Sequence, residues 1–264
     1  MELSSATGGA DGDVLRLRAL PGIPEVRPGD ALCGLIVAAL QSGGETLRDG
    51  DVLVLAQKIV SKSEGQLVEL GTIEPSDRAI ALAAKSNKDP RVVELILRES
   101  VAVLRCVPGV IVVEHRLGFV MANAGIDQSN VLQQGDGVAL LLPRDPDASC
   151  ASLRVSLGAA TGADVAVVII DSHGRAWRNG TIGVAIGVAG MPALLDLRGQ
   201  PDRHGRVLRE TEVGFADELA AAASMIMGQA GEGRPVVLAR GVPYARRAGT
   251  ARELVRPPAI DLFR

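Results

Sequence analysis

The fold is most clearly indicated by Val165-Ala166-Val167-Val168-Ile169-Ile170-Asp171-Ser172-His173-Gly174-Arg175. Six consecutive apolar residues, most of them β-branched, predict a buried strand at the centre of a sheet. The apolar run ends abruptly at Asp171, where we expect the strand to end. A carboxylate at the mouth of a buried strand is costly unless it is paired or bound to a cation. This segment therefore predicts a central strand and a candidate functional position together.

The other elements are predicted outward from this strand. Further strands are expected over residues 14–20, 52–56, 138–142, 182–189 and 236–239, with two or three more between 101 and 121. Glycines spaced along residues 182–189 indicate a strand against which other backbone packs closely. Helices are expected to start at the capping residues Asp30, Ser76, Asp89 and Asp145 and to run to about residues 41, 85, 99 and 160. Another is expected over 212–227. Because these elements lack a regular βαβ rhythm, the predicted class is α+β with mixed or antiparallel sheets and flanking helices.

The composition of the chain argues against some classes of function. The chain has 264 residues, of which 47% are hydrophobic and 2% aromatic, with 28 Lys+Arg against 31 Asp+Glu. A net charge of −3 gives no basic surplus for nucleic acid, and no apolar run approaches the ~20 residues of a membrane span. Cys33, Cys106 and Cys150 are far apart, as expected for reduced cysteines in a cytoplasmic protein. Residues 1–13 lack an apolar core and are predicted to be a flexible tail, and residues 14–264 one domain.

Two acidic positions suggest a metal site. The common nucleotide and hydrolase signatures are absent, including the P-loop, Gly-x-Gly-x-x-Gly and Gly-x-Ser-x-Gly. Asp127 lies in a segment of small and amide residues and can meet Asp171 in space, and the Ser172 hydroxyl adds another oxygen. Mg²⁺ binds through one or two carboxylates plus substrate phosphates, so the pair predicts a metal–triphosphate site. The alternative is that both aspartates only cap turns.

Two parts of the sequence could bind an anion, and each also has a purely structural explanation. Lys58 and Lys62 follow a core strand and can neutralise phosphate charge, or they are solvated loop lysines. Residues 228–233 offer backbone N–H groups, but they follow a helix C-terminus, where the dipole disfavours anions. A simple helix cap is the alternative there. Trp177 is expected either to line a substrate pocket or to pack against the protein.

Eight segments in order resemble the coenzyme F420:L-glutamate ligase family, across nearly the whole chain from residue 14. They are residues 20–24, 57–65, 90–100, 122–130, 142–149, 171–175, 184–187 and 216–219. The resemblance implies an unusual α+β fold that forms an intertwined homodimer. It implies a GTP-dependent ligase that adds L-glutamate to the deazaflavin precursor F420-0, several members adding further γ-linked glutamates. It also implies Mg²⁺ or Mn²⁺, two ions in the site, with K⁺ as a further candidate.

The resemblance also implies the site residues. The nucleotide contacts would be Leu20, Pro21, Gly22, Ile23, Gln57, Lys62, Asn130, Met227, Gly228, Gln229, Ala230, Gly231, Glu232, Gly233 and Arg234. The metal ligands would be Asp127, Asp171, Ser172 and Gln229, and the catalytic residues Asp127, Asp171 and Lys62. Arg175 and Arg178 are candidates for the substrate's phosphodiester or carboxylate, since a guanidinium fork fits such groups.

The chain departs from the family pattern in three places. Gln229 replaces a frequent glutamate, which implies a weaker second metal site. Residues 180–183 differ from the Gly-Gln-Thr-Asp of some relatives, and His173 stands where an aromatic residue is common. We expect the F420-0 carboxylate to attack the γ-phosphate of GTP and the glutamate amine to open the resulting acyl phosphate. The alternatives are a nucleotide-binding accessory subunit without ligase activity and a metal-dependent phosphohydrolase.

Overall fold

The computed structural model describes residues 14–129 and 137–261, so the predicted tail over residues 1–13 and the candidate Asn130 lie outside the described residues. The strands are β1 (Arg16–Ala19), β2 (Val52–Ala56), β3 (Leu67–Glu69), β4 (Ser100–Val107), β5 (Val110–His115), β6 (Val120–Ala122), β7 (Val138–Leu140), β8 (Ala166–Arg175), β9 (Arg178–Ala189), β10 (Leu195–Asp196), β11 (Glu212–Val213) and β12 (Val236–Arg240). The α-helices are α1 (Leu32–Ser42), α2 (Gln57–Ser63), α3 (Asp77–Ser86), α4 (Pro90–Arg98), α5 (Pro146–Thr161) and α6 (Phe215–Met227).

A five-stranded sheet in the order β1-β12-β2-β8-β9 forms the centre of the molecule. Its strands β2 and β8 are parallel, and the other neighbours are antiparallel. Alternating side chains of β2 and β8 enter two apolar clusters: Leu53 and Val167 pack with α1 and α5, whereas Val54 and Val168 pack with α6. The sheet is therefore covered by helices on both faces. The predicted mixed α+β class and the central, buried position of residues 165–170 are both confirmed.

Residues between β2 and β8 build a second layer. Strands β4, β5 and β6 form a three-stranded antiparallel sheet, and β3 pairs with β7. Helices α3 and α4 pack on these strands through a third apolar cluster that includes Ile96 and Ile111. No helix within residues 14–129 or 137–261 has the length and apolarity needed to cross a bilayer.

Three of the four predicted helix caps are confirmed. The Ser76, Asp89 and Asp145 side chains accept hydrogen bonds from backbone N–H groups in the first turns of α3, α4 and α5. The prediction for Asp30 is wrong, because α1 begins at Leu32 after Ala31, which makes no side-chain cap. The Asp30 carboxylate accepts instead from the Arg27 N–H at 2.8 Å, within its own turn.

Predicted boundaries are also wrong at three elements, one of which is β9, which begins at Arg178 and not at residue 182. Strand β8 does not end at Ile170 but continues to Arg175, because β9 pairs with it along that whole length. The polar residues of β8 therefore extend a hairpin beyond the buried part of the sheet. The helix expected from residue 212 begins only at Phe215, because Glu212–Val213 pairs with Leu195–Asp196 as a short ladder.

The close packing expected against β9 is confirmed at two glycines. A Cβ atom at Gly183 would lie 2.5 Å from the Ala220 carbonyl oxygen of α6. A Cβ atom at Gly187 would lie 2.5 Å from the Pro146 carbonyl oxygen of α5. Real Cβ atoms do not approach backbone so closely, so only glycine lets both helices rest on this strand.

Strand directions bring four chain segments to one edge of the central sheet. The parallel strands β2 and β8 both point their carboxyl ends to this edge. Strand β12 starts there, since Val236 pairs with Leu55, and β1 ends there, since Ala19 pairs with Val237. The residues after β1, after β2 and before β12 thus meet the outer part of β8. Ligands of open α/β sheets typically bind at such carboxyl ends.

Candidate active site

A cavity of about 380 Å³ lies at this edge of the sheet. It is bounded by the segment after β1, by α2, by β8 and by the glycine-rich segment between α6 and β12. Most of the predicted nucleotide and metal residues line it: Ile23, Gln57, Lys62, Asp171, Ser172, Met227, Gly228, Gln229, Ala230, Gly231, Glu232, Gly233 and Arg234. Residues far apart in sequence are therefore brought to one cavity.

The other predicted residues lie outside the cavity lining. Leu20 is 1% exposed and belongs to the apolar core, and Pro21 packs under Gly43. Gly22 adopts a positive φ of 71° in the same turn, which shapes the chain that leads to Ile23. Arg175 and Arg178 lie at the end of the β8–β9 hairpin. Asp127 reaches the cavity wall only through Lys58.

Helix α2 starts directly after β2, so Gln57 stands at its first position on the cavity wall. The Gln57 residue is 1% exposed, and its Oε1 accepts from the Ser61 hydroxyl at 2.8 Å. Its Nε2 has no hydrogen-bond partner among the described residues. A buried amide donor left unpaired is costly. This donor therefore fits a ligand acceptor in the cavity.

Lys62 lies one turn further along α2 and is 8% exposed. Its Nζ is 2.5 Å from Oε1 of Glu25, which follows the Pro-Gly-Ile-Pro turn. Lys62 therefore contributes a positive charge to the cavity wall, and Glu25 holds its ammonium group toward the segment after β1. Sequence reasoning did not identify Glu25 as a site residue, because nothing in its local pattern indicates a partner 37 residues away.

Asp127 is joined to the first turn of α2. Its Oδ2 is 2.6 Å from the Lys58 Nζ, its Oδ1 accepts from the Ser129 N–H at 2.6 Å, and the same Lys58 Nζ donates to the Ser129 hydroxyl at 2.9 Å. Burial alone would raise the pKa of Asp127, but Lys58 and the Ser129 donors outweigh it and hold that pKa below its usual value. Asp127 is thus ionised, with a lysine in contact.

Asp171 and Ser172 line the cavity from β8, and Gln229 lines it from the segment after α6. The Ser172 hydroxyl donates to Gln229 Oε1 at 2.7 Å, which ties β8 to the segment after α6. The Asp171 side chain is 15% exposed, and its Oδ2 lies 3.2 Å from the His173 Nε2. That contact lacks hydrogen-bond geometry, and the His173 Nε2 has no partner among the described residues. The Asp171 carboxylate therefore remains able to bind a cation in the cavity.

This donor set fits a magnesium-type ion that is shared with phosphate. Carboxylate, hydroxyl and amide oxygens are hard ligands of the kind that Mg²⁺ prefers, and Mg²⁺ commonly binds one or two carboxylates plus phosphate oxygens. Within the described residues no group of three or more His, Cys, Asp or Glu side chains could hold a metal ion. The residues that the structure describes therefore do not form a full coordination cage by themselves.

The glycine-rich segment already holds one anion, its own Glu232 carboxylate. Helix α6 ends at Gly228, whose φ is 78°, and Glu232 Oε2 accepts from the Ala230 N–H at 2.8 Å. The Ala230 N–H is the main reason that the pKa of Glu232 is lowered. Glycine is needed at position 228 because its φ of 78° and ψ of 177° are strained for any residue with a Cβ atom. This segment is therefore more than a helix cap, because its N–H groups turn toward negative charge.

Comparisons with known proteins agree on one family. A family model described as F420-0:Gamma-glutamyl ligase matches residues 22–241. A protein of Methanothermobacter thermautotrophicus named coenzyme F420:L-glutamate ligase is 48% identical over 252 residues, 95% of this chain and 99% of the relative. Proteins of the same name from Methanopyrus kandleri and Methanocaldococcus jannaschii are 46% and 44% identical, over 95% and 83% of this chain and 98% and 86% of the relatives. The chain therefore belongs to the F420-0:gamma-glutamyl ligase family.

Proposed function

We propose that this protein ligates L-glutamate to F420-0 in the biosynthesis of coenzyme F420, with GTP and a divalent metal ion. The observation that carries the proposal is the cavity at the sheet edge. It combines an unpaired buried amide donor, a buried lysine, a carboxylate and a segment whose N–H groups bind an anion. The family membership and the names of the relatives support the ligase class.

The reaction needs an activated carboxylate, because an amine and a carboxylate do not condense spontaneously in water. The carboxylate oxygen of F420-0 attacks the γ-phosphorus of GTP, and the β–γ bridging oxygen leaves with GDP. The glutamate nitrogen then attacks the acyl carbon, and phosphate leaves as the C–N bond forms. Phosphoryl transfer depends mainly on positioning and charge neutralisation. The product is a new amide, GDP and inorganic phosphate.

Each step has a candidate group in the cavity. Gln57 Nε2 is available to an acceptor atom of the nucleotide, and Lys62 Nζ can exchange Glu25 for phosphate oxygens. Asp171, Ser172 and Gln229 would hold Mg²⁺ or Mn²⁺, with Asp127 as a further ligand once Lys58 moves away. A bound ion supplies positive charge that polarises the phosphates. The N–H groups of residues 228–232 would bind phosphate in place of the Glu232 carboxylate.

A direct assay tests the ligase. Purified protein is incubated with F420-0, L-glutamate, GTP and Mn²⁺, and the cofactor mass is followed by chromatography and mass spectrometry. We expect a glutamyl mass increment that requires both GTP and metal, and the longest product gives the number of glutamates added. Tight GTP binding without any increment would contradict the ligase and favour the accessory subunit. Phosphate release without F420-0 and glutamate would favour the phosphohydrolase.

The role of Asp171 is tested by Asp171→Asn, which keeps the size of the side chain. We expect ligation to fall by about a hundredfold or more, as for loss of a charge at a transferring phosphoryl group, while the circular dichroism spectrum is unchanged. Asp202→Asn is the matched control, since Asp202 lies in a turn away from the cavity and its carboxylate accepts from the His204 and Arg206 N–H groups. Near-normal turnover in Asp171→Asn would contradict the metal assignment.

The proposal includes a homodimer. Strand β4 is an edge strand of its sheet, and its Val101, Leu104 and Val107 are 71%, 38% and 44% exposed. Apolar side chains on an edge strand are typical of surfaces that pair with another chain. Size-exclusion chromatography with light scattering should give twice the chain mass. A monomer at micromolar concentration would contradict this part of the proposal.

A further inference from the structure

The tip of the β8–β9 hairpin combines features that oppose stability. Residues 176 and 177 form the turn, and Trp177 is 89% exposed with a φ of 64°. A bulky non-glycine residue at positive φ is strained. Trp177 is also the chain's one tryptophan, and large aromatic side chains are usually mostly buried. Such features persist where they serve a function.

The residues that flank the turn add a second unfavourable interaction, between two positive charges. Arg175 and Arg178 are direct cross-strand partners, and like charges in that arrangement repel. Within residues 14–129 and 137–261, neither guanidinium pairs with a carboxylate, and Arg175 donates only to the Gly180 carbonyl oxygen at 3.4 Å. In contrast, Arg198 is paired with Asp196 at 2.6 Å and with Glu212 at 3.2 Å. The hairpin tip thus presents two adjacent cations that suit an anion.

Strand β8 connects this tip to the cavity without a break. Asp171 lines the cavity, and Arg175 is the last residue of the strand. At about 3.3 Å per residue, the four steps between them span roughly 13 Å. A ligand lying along the strand can therefore place one end at the cavity and the other at Trp177.

We propose that Trp177 stacks on the fused aromatic ring of the acceptor substrate, while Arg175 and Arg178 bind its phosphodiester. The order of groups agrees, since a ring, a phosphodiester and a terminal carboxylate would follow β8 from the tip to Asp171. An indole face suits a planar aromatic ligand, and guanidinium forks suit phosphate oxygens. This inference rests on the proposed function, because that function supplies an acceptor with these groups. It concerns binding of the acceptor alone and requires neither nucleotide nor metal.

The one tryptophan makes the contact directly observable. F420-0 is titrated into the protein without GTP or metal, and tryptophan emission is recorded, with N-acetyltryptophanamide as the correction for absorption by the ligand. We expect saturable quenching. Emission that instead changes with protein concentration alone would mean that a second copy of the chain buries Trp177, and it would overturn the inference.

Two substitutions separate the ring from the backbone. Trp177→Ala and Trp177→Phe both keep a Cβ atom at the strained position, so their difference reports on the ring. Equilibrium dialysis of F420-0 should show a dissociation constant about tenfold higher for Trp177→Ala and within about threefold of the wild type for Trp177→Phe. Arg178→Gln should also weaken F420-0 binding, and none of the three should change affinity for a non-hydrolysable GTP analogue.

The outcomes distinguish the role of Trp177 in binding F420-0 from the proposed ligase function on which it rests. If the wild type ligates F420-0 and Trp177→Ala binds F420-0 as tightly as the wild type, the inference is wrong and the proposed function stands. If the wild type neither binds nor ligates F420-0, the proposed function fails and the inference fails with it. Tenfold weaker F420-0 binding in Trp177→Ala, with GTP-analogue binding intact, supports the assignment.

Discussion

Gln229 lines the cavity at a position where the resemblance to the family leads us to expect a glutamate. Its amide oxygen accepts from the Ser172 hydroxyl, and Gln229 lines the same cavity as Asp171. An amide oxygen binds a hard cation with less charge than a carboxylate supplies. The metal affinity of the site should therefore be lower than in relatives with glutamate at this position.

Gln229→Glu tests this expectation. The new carboxylate has the same shape and still accepts from Ser172, so the change is confined to charge. We expect Mn²⁺ to bind about tenfold more tightly, since a unit charge about 4 Å from another is worth about 1 kcal/mol in water and more near a protein surface. Titration calorimetry of Mn²⁺ into the protein in the presence of a GTP analogue measures this affinity. Gln200→Glu, in an exposed turn, makes the same charge change elsewhere, and equal Mn²⁺ affinity in both variants would contradict a role for position 229.

Strand β9 is the element on which helix positions depend. Gly183 and Gly187 let α6 and α5 touch its backbone, and α6 leads directly into the glycine-rich segment of the cavity. A side chain added at either glycine would displace backbone, because the helix carbonyl groups that it meets cannot move as a flexible side chain can. The position of α6 therefore controls where the residues after Met227 lie.

Gly183→Ala is expected to lower the free energy of unfolding by about 1–3 kcal/mol. Gly174→Ala is a matched control in the same hairpin, since a Cβ atom there would meet nothing within 4 Å. It should change the free energy of unfolding by no more than about 0.5 kcal/mol. Urea unfolding followed by circular dichroism measures both. Equal effects of the two substitutions would show that the contact with Ala220 does not limit this site.

For the molecule as a whole, stability depends on carboxylates buried where elements join. Asp147 Oδ1 accepts from the Val188 N–H of β9 and from the Ala251 N–H, which connects α5, the central sheet and the C-terminal segment. Desolvation raises the pKa of Asp147 despite these bonds, with smaller contributions from Asp145 and Glu253. Its ionised form is thus disfavoured in the folded state.

The sign of the pH effect follows from that direction. A carboxyl group whose folded pKa is raised stabilises the protein fully below its unfolded pKa, and this contribution is lost as pH rises through the folded value. Asp147→Asn keeps the accepting oxygen without the charge. We expect its melting temperature to exceed that of the wild type at pH 7, with the difference shrinking as pH falls toward 4.

Asp89→Asn is the control of opposite sign for that experiment. Hydrogen bonds from Arg91 lower the pKa of Asp89, so its contribution is present at neutral pH and lost as pH falls through the folded value. Asp89→Asn should therefore lower the melting temperature at pH 7, and the loss should shrink in acid. The same pH trend for both variants would contradict the assignment of Asp147.

Local rules were enough to predict part of the fold. The α+β class followed from apolar runs and their irregular order, and the caps at Ser76, Asp89 and Asp145 involve only bonds to residues two or three positions away. The cavity residues, in contrast, were implied by the resemblance to a known family, and residues from four of its segments line one cavity. Short-range bonds and hydrophobic patterning can be inferred from sequence because they require no knowledge of the rest of the chain.

Contacts between distant segments were decided only in three dimensions. Lys62 contacts Glu25 across 37 residues, because β1 and β2 end at the same edge of the sheet. Lys58 contacts Ser129 across 71 residues. Pairing with β9 likewise carried β8 past Ile170 and placed Arg175 opposite Arg178. Strand order and register fix which polar groups meet, and neither is encoded in the local pattern of any one segment.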